Sequence, residues 1–230
     1  MRNFFSMAGA DVPRMAGSGV SPFPLEDRGW EGAPSFEMRL RRARLGLLVG
    51  LVGIVMVFIS FTSAYIVRQG LPTLEPNTNT LVRDWFSIRL PGLLFLNTLV
   101  LLISSGSMEL ARRQALRGVQ LNRDSGAFWL GATVLLGLGF LIGQWTVWRR
   151  LEADGFYISS NPSSSFVYLL TGAHAVHVLG GVLGLLVACG AVFLRRPAES
   201  RVVVVDIAAW YWHFMAVLWV YIFSLLKFAR

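Results

Sequence analysis

Five long apolar segments constrain the fold of this 230-residue chain more than any other feature. A bilayer core of about 30 Å needs about 20 helical residues at about 1.5 Å each, and every segment is long enough. Because 54% of the residues are hydrophobic and only 15% are charged, an ordinary water-soluble enzyme is excluded. We predict an all-α polytopic membrane protein, a bundle of five transmembrane helices spanning Leu45 to Val67, Leu90 to Leu110, Ala127 to Trp148, Phe166 to Leu194 and Val202 to Leu226.

The residues before the first segment differ in composition from the rest. Residues 1–44 are rich in Gly, Pro, Ser and mixed charge, and they contain no apolar stretch that resembles a signal peptide. We therefore predict two parts, an irregular cytoplasmic arm over residues 1–44 and a five-helix transmembrane domain over residues 45–230.

The basic residues predict the orientation of the chain. Lys and Arg are more numerous on the face that includes the arm, and the positive-inside rule then places the N-terminus in the cytoplasm and the C-terminus outside. Membrane orientation accounts for the basic residues that give the net charge of +8. No basic helix or aromatic-basic patch predicts a nucleic-acid partner. The basic residues on the predicted cytoplasmic face run from Arg39 to Arg44 and include Arg112, Arg113, Arg117, Arg123, Arg195, Arg196 and Arg201.

All three histidines fall within predicted helices. His174 and His177 lie three residues apart, which predicts one face of helix 4, and His177 and His213 are each about 16 Å from the start of their helix. Three interpretations stay open: ligands for haem or copper, a proton relay, or hydrogen bonds to neighbouring helices and lipid head groups. The third is favoured, because Thr171, Tyr211 and Trp212 offer similar polar contacts nearby and no carboxylate or cysteine is predicted at the same depth.

The other polar residues favour packing over chemistry. Gln144 lies deep in helix 3 and is expected to hydrogen-bond across helices. Glu109 is expected to form a solvated ion pair with little effect on stability. The carboxylate of Asp206 is expected to interact with the positive end of the helix 5 dipole. The single cysteine, Cys189, cannot form a disulfide within the chain, and no nucleophile, phosphate-binding or metal-ligand motif is present. Paired glycines predict close helix packing at Gly46 and Gly50, Gly139 and Gly143, and Gly180 and Gly184.

Two motifs resemble a known family. Helix 4 carries Thr171-Gly172-Ala173-His174-Ala175-Val176-His177 within the stretch from Ser164 to Gly181, and helix 5 carries Tyr211-Trp212-His213-Phe214 with Trp219 beyond it. In that order they resemble subunit III of the haem-copper terminal oxidases. The resemblance extends from Leu45 to Arg230 and includes Ser63-Ala64-Tyr65, Asn97, Gln144 and Trp148.

The resemblance implies a five-helix bacterial form, without the two N-terminal helices of the seven-helix form, in the cytoplasmic (inner) membrane. It implies a non-catalytic subunit of a respiratory oxidase that reduces dioxygen to water, with haem and copper in partner subunits I and II and none in this chain. It also implies bound phospholipid, support of proton uptake by subunit I, and polar or lipid contacts, without metal ligation or catalysis, for Thr171, His174, His177, Tyr211, Trp212, His213 and Gln144.

The sequence departs from the family at three positions where acids are common, Ile54, Val147 and Ala216. Proton transfer through buried acids of this chain is therefore not expected. Two alternatives stay open: the related accessory subunit of nitric oxide reductase, and a stand-alone haem-binding membrane cytochrome with the three histidines as ligands. A transporter is disfavoured, since no inverted repeat or pair of broken helices is evident.

Overall fold

The computed structural model describes residues 35–74, 81–82, 92–116, 123–158, 162–194 and 197–228. These residues form helices α1 (Phe36–Gly70), α2 (Leu93–Leu116), α3 (Arg123–Ala153), α4 (Pro162–Phe193) and α5 (Ala198–Phe228). Strands β1 (Thr73–Leu74) and β2 (Leu81–Val82) pair antiparallel between α1 and α2. Each of the five helices is long and apolar enough to cross a membrane, which confirms the predicted all-helical, multi-pass protein.

Four of the helices form a closed ring. Helix α2 packs against α3 and α5, and α4 also packs against α3 and α5, whereas α1 contacts only α4 and α5 from outside the ring. The centre of the ring is aromatic, with Phe140, Trp212 and Trp219 almost completely buried. Most of the α1 surface stays exposed within this chain, and only Phe58, Thr62 and Tyr65 are buried on it.

The side-chain contacts establish the directions of the helices. Helix α1 runs parallel to α5, because Arg39 pairs with Glu199 near both starts and Tyr221 donates a hydrogen bond to Thr62 further along. Helix α2 runs antiparallel to α5, because Arg112 near its end meets Asp206 near the start of α5. The starts of α1 and α5 and the end of α2 therefore lie together at one end of the bundle.

Most helices extend several residues beyond their predicted apolar spans, and two of these differences change how nearby residues are interpreted. Helix α1 begins at Phe36, so residues 36–44 are helical and not part of an irregular arm; residues 1–34 lie outside the described residues. Helix α2 continues to Leu116, so Arg112 and Arg113 are helical and not in a loop. Hydropathy locates only the apolar part of a helix, whereas Met, Leu, Ala and Arg extend it beyond the apolar part at little cost.

Helix α3 ends in a glycine-dependent turn. Gly155 has a φ of 85°, a conformation that is unstrained only without a Cβ atom. Its N–H donates to the Glu152 carbonyl at 3.0 Å, and the Phe156 N–H donates to the Leu151 carbonyl at 2.9 Å. This pair of bonds is the Schellman arrangement, which satisfies carbonyl groups left free at the end of a helix.

Close packing in the ring occurs at glycines that the sequence pattern only partly identified. A Cβ atom on Gly137 would lie 2.7 Å from the Trp212 ring, and one on Gly143 would lie 3.0 Å from Asn97 Cγ. Among the predicted pairs, Gly46, Gly50, Gly139 and Gly184 have no atom within 4 Å of such a Cβ. A four-residue glycine spacing identifies a face of small residues, but it does not specify whether a neighbouring helix covers that face.

Gly137→Ala is expected to lower the thermal unfolding midpoint of the detergent-solubilised protein by several degrees. The new methyl group would overlap the buried Trp212 ring, and overpacking of this kind costs about 1–3 kcal/mol. Helix content measured by circular dichroism during heating checks this. Gly139→Ala, on the same helix with open space at the Cβ position, is the control, and an equal loss of stability in both variants would contradict the packing argument.

Candidate functional site

Polar side chains connect α2 to α5 at three levels of the bundle. Trp219 Nε1 donates to Thr98 Oγ1 at 2.9 Å, and about two turns away His213 Nδ1 lies 2.7 Å from Ser105 Oγ. After two further turns, Arg112 Nε donates to Asp206 Oδ1 at 2.8 Å. We call these contacts, together with the adjacent bond between Trp212 and Ser104, the α2–α5 seam. The contacts recur every seven residues on α2 and every six or seven residues on the antiparallel α5, which indicates one continuous polar interface.

The middle level of the seam extends to a third helix. Trp212 Nε1 donates to Ser104 Oγ at 3.1 Å, and Ser104 Oγ donates to the Thr133 carbonyl of α3 at 3.2 Å. Ser107 Oγ and Thr133 Oγ1 add a further hydrogen bond of 2.8 Å between α2 and α3. All of these side chains are buried, so hydrogen bonds replace the water that is lacking in a membrane interior.

His213 is hydrogen-bonded through both ring nitrogens. Nε2 lies 3.3 Å from Glu109 Oε2, and Nδ1 lies 2.7 Å from the Ser105 hydroxyl. Because an ionised carboxylate only accepts hydrogen bonds, Nε2 donates to Glu109, and Nδ1 of a neutral ring accepts from Ser105. Both ring nitrogens are thus engaged in the contact between α2 and α5.

An ion cluster joins α1, α2 and α5 at the end of the bundle where α1 and α5 start. The Asp206 side chain is completely buried, and its two oxygens accept hydrogen bonds of 2.8 Å from Arg44 Nε of α1 and Arg112 Nε of α2. Glu109 in turn accepts from Arg113 Nε at 2.8 Å and lies 3.4 Å from Arg112. We call Arg44, Glu109, Arg112, Arg113, Asp206 and His213 the ion cluster.

Sequence reasoning missed the importance of this cluster. It assigned Glu109 to a solvated pair and Asp206 to the positive end of a helix, but Asp206 bridges two other helices. A carboxylate in the early turns of a membrane helix was the available signal. The alternating direction of the helices brings the arginines near the start of α1 and the end of α2 to the same end of the bundle as Asp206.

The three histidines do not converge. The His174 ring is completely buried between Phe140 and Trp219, at centroid distances of 5.8 Å and 5.0 Å. The His177 ring contacts Phe58 of α1 at 5.7 Å, whereas His213 contacts α2. Residues three apart on a helix differ by about 60° in direction, so His174 and His177 point toward different neighbours and not along one face. Among the described residues, no three His, Cys, Asp or Glu side chains group so that they could hold a metal ion.

Tyr211 and Thr171 each take part in a contact between helices. The Tyr211 hydroxyl donates to the His177 carbonyl at 2.9 Å, while His177 Nδ1 bonds with the Ala173 carbonyl of its own helix at 2.7 Å. Thr171 Oγ1 accepts from Trp148 Nε1 at 3.1 Å, which joins α3 to α4. These polar groups are thus engaged in helix packing.

Gln144 differs from the sequence expectation. It is 1% exposed, but neither of its amide atoms has a hydrogen-bond partner in the part of the chain that the structure describes. Four of the predicted residues are almost completely buried within this chain, so their side chains face neighbouring helices of the bundle. These four residues are Gln144, Thr171, His174 and Trp212.

A cleft of about 350 Å³ opens where α3 ends and α4 begins. Trp145 and Trp148 form one wall, and Tyr168 and Ile158 contribute to the other surfaces. Arg149 and Glu152 also line it, and their charged groups lie 3.7 Å apart. The cleft thus combines an apolar lining with one cation and one anion.

Comparisons with known proteins agree on one family. The family model described as cytochrome c oxidase subunit III matches residues 30–229. Cytochrome c oxidase subunit 3 of Prototheca wickerhamii is 33% identical over 186 residues, which cover 78% of this chain and 66% of that protein. The relative from Marchantia polymorpha is 30% identical over 205 residues, which cover 86% of this chain and 72% of that protein. The probable cytochrome c oxidase subunit 3 of Mycobacterium tuberculosis (strain ATCC 25618 / H37Rv) is 36% identical over 139 residues, covering 58% and 64%. The chain therefore spans just under two thirds of the first of these relatives.

Asp206→Asn is expected to destabilise the bundle and to loosen α1. The substitution leaves two arginine side chains without their shared counter-ion, and breaking a buried pair costs about 3–5 kcal/mol, reduced here because Arg44 and Arg112 are partly exposed. Thermal unfolding in detergent and proteolysis near the start of α1 would measure the effect. Glu199→Gln, in the exposed pair with Arg39, is the control and should change stability by less than about 1 kcal/mol. Equal effects of the two substitutions would contradict a special role for the buried carboxylate.

Proposed function

The chain belongs to the cytochrome c oxidase subunit III family, and from this premise we propose that it is the non-catalytic subunit III of a haem-copper terminal oxidase. In this role it assembles with subunits I and II, stabilises subunit I, and sustains proton uptake during the reduction of dioxygen to water. Haem and copper belong to the partner subunits. The single observation that carries the proposal is the family match over residues 30–229, which includes every helix described above.

The contacts of the polar side chains support a structural role. Tyr211, Trp212 and His213, the consecutive residues of the helix 5 motif, each bond to a neighbouring helix. At two of the positions where acids are common in the family, Val147 and Ala216 are buried among apolar side chains. The chain thus uses its buried polar groups to hold helices together, which is what a scaffold for a catalytic partner requires.

We propose that the protein lies in the cytoplasmic membrane of a bacterium. The end of the bundle that carries the ion cluster faces the cytoplasm, and the C-terminus lies on the outer side. Arg39, Arg44, Arg112 and Arg113 lie at this end. The positive-inside rule favours the cytoplasm for such a concentration of arginine.

We also propose that membrane phospholipid binds this subunit at the cleft between α3 and α4. The volume of about 350 Å³ suits a head group and glycerol unit, with the acyl chains following the apolar surface outside. Arg149 offers a cation to the phosphate, and Trp145 and Trp148 have the amphipathic rings that favour the membrane interface.

Purification of the tagged chain in a mild detergent tests the assignment. The expected result is a complex with a protein that carries a haem-copper centre, and its optical spectrum should be unchanged by His177→Gln or His213→Gln. A partner with haem and non-haem iron would instead identify the accessory subunit of a nitric oxide reductase. A stoichiometric haem band in the isolated chain, lost in these variants, would contradict the non-catalytic role.

Reporter fusions after Arg230 test the orientation. Alkaline phosphatase, which is active only outside the bacterial cytoplasm, is expected to be active at this position, whereas green fluorescent protein exported there is expected to be dark. The same reporters fused after Leu194, which directly follows α4, are the control and should give the opposite result. If green fluorescent protein after Arg230 were fluorescent and alkaline phosphatase at the same position were inactive, the proposed orientation would be reversed.

A further inference from the structure

Asn97, Gln144 and His174 are among the buried polar side chains of the helix ring that have unpaired hydrogen-bonding atoms. Within the described part of the chain, Nδ2 of Asn97, both amide atoms of Gln144 and both ring nitrogens of His174 lack a hydrogen-bond partner. Their exposed fractions are only 4%, 1% and 0%. A buried polar group without a partner costs about 1–3 kcal/mol, so five such atoms on these three side chains require an explanation.

The contacts between α3 and α4 bring Gln144 to the level of His174. Phe140 packs against His174, and one turn before and one turn after Gln144 on the same face of α3 lie Phe140 and Trp148. Trp148 meets Thr171, which precedes His174 by one turn on α4. Gln144 therefore lies midway along the stretch of α3 that faces Thr171 and His174.

The contacts of α2 bring Asn97 to the same level. Asn97 packs against the backbone of Gly143, where a Cβ atom would lie 3.0 Å from its Cγ. The next residue, Thr98, accepts the hydrogen bond from Trp219, whose ring lies against His174 at a centroid distance of 5.0 Å. Side chains from α2, α3 and α4 are thus directed to one layer of the ring, and we call Asn97, Gln144 and His174 the polar layer.

The atoms of the polar layer complement a small molecule that both donates and accepts hydrogen bonds. The two side-chain amides and one nitrogen of a neutral imidazole supply donors, whereas Gln144 Oε1 and the other imidazole nitrogen supply acceptors. The three side chains include no carboxylate to attract a cation and no arginine or lysine to attract an anion. Phe140 and Trp219 enclose His174, which leaves no place for a large ligand.

We propose that the polar layer binds enclosed water, which bridges Asn97, Gln144 and His174 and joins α2, α3 and α4. A water molecule forms about three hydrogen bonds with buried polar groups that otherwise lack partners, and such water is a permanent part of the structure. The layer is separate from the α2–α5 seam, whose hydrogen bonds are already made between side chains. The inference does not depend on the identity of the partner subunits.

Radiolytic hydroxyl labelling of the full chain, in the complex with which it purifies, tests the proposal. Radicals generated from bound water oxidise the side chains beside it even when those side chains are buried. Trp219 and Trp212 form a matched pair, since both lie on α5 and are 1% and 0% exposed. The Trp219 ring packs against His174 of the polar layer, whereas Trp212 bonds to Ser104 of the α2–α5 seam. We expect Trp219 to be oxidised several-fold faster than Trp212.

The Gln144→Leu variant should reduce the oxidation of Trp219 to that of Trp212, because it removes the NH2 donor group and the carbonyl acceptor of one amide from the layer. The comparison of the two tryptophans within the unaltered protein needs no variant, so a failure of Gln144→Leu to fold leaves the test intact. Equal oxidation of the two rings in the unaltered protein would overturn the proposal. A density map with Gln144 bonded directly to His174, and no ordered solvent between the helices, would also overturn it.

Discussion

A polar side chain between membrane helices must find its hydrogen-bond partner within the protein, on its own helix or on a neighbouring one, because the lipid offers none. This requirement organises the ring of α2, α3, α4 and α5. Along the α2–α5 seam, a tryptophan and a histidine of α5 meet hydroxyl groups of α2, and an arginine of α2 meets a carboxylate of α5, at intervals of about two turns. Gly137 of α3 and Gly181 of α4 let the large Trp212 ring of α5 approach closely.

The ion cluster makes a polar contact of the same kind with α1, the helix outside the ring. Helix α1 has few buried residues, so apolar packing alone ties it weakly to α4 and α5. Its bond from Arg44 to the buried carboxylate of Asp206 supplies a directional contact, and Arg112 balances the second oxygen of that carboxylate. The contact uses charge near the predicted membrane surface, where desolvation costs less than at the bilayer centre.

The contacts of the histidines agree with the proposed structural role of the chain. The three histidines, which are the candidate metal ligands in the sequence, contact different parts of the bundle. His174 faces the aromatic core, His177 faces α1 and His213 faces α2. No three groups that could ligate a metal meet among the described residues. Buried hydrogen bonds hold the ring in one helix register, as the proposed role requires.

The sequence by itself determined the fold class, the number of spans and the family, because hydropathy and the two motifs are properties of contiguous residues. It also identified Trp212, His213 and Tyr211 as polar residues at helix contacts. Tertiary structure alone decided the rest: that Asp206 bridges Arg44 and Arg112, that His174 and His177 face different helices, and that Gln144 belongs with Asn97 and His174. Each of these depends on how far a helix continues and how it is rotated against its neighbours, and those quantities result from packing between segments distant in the chain.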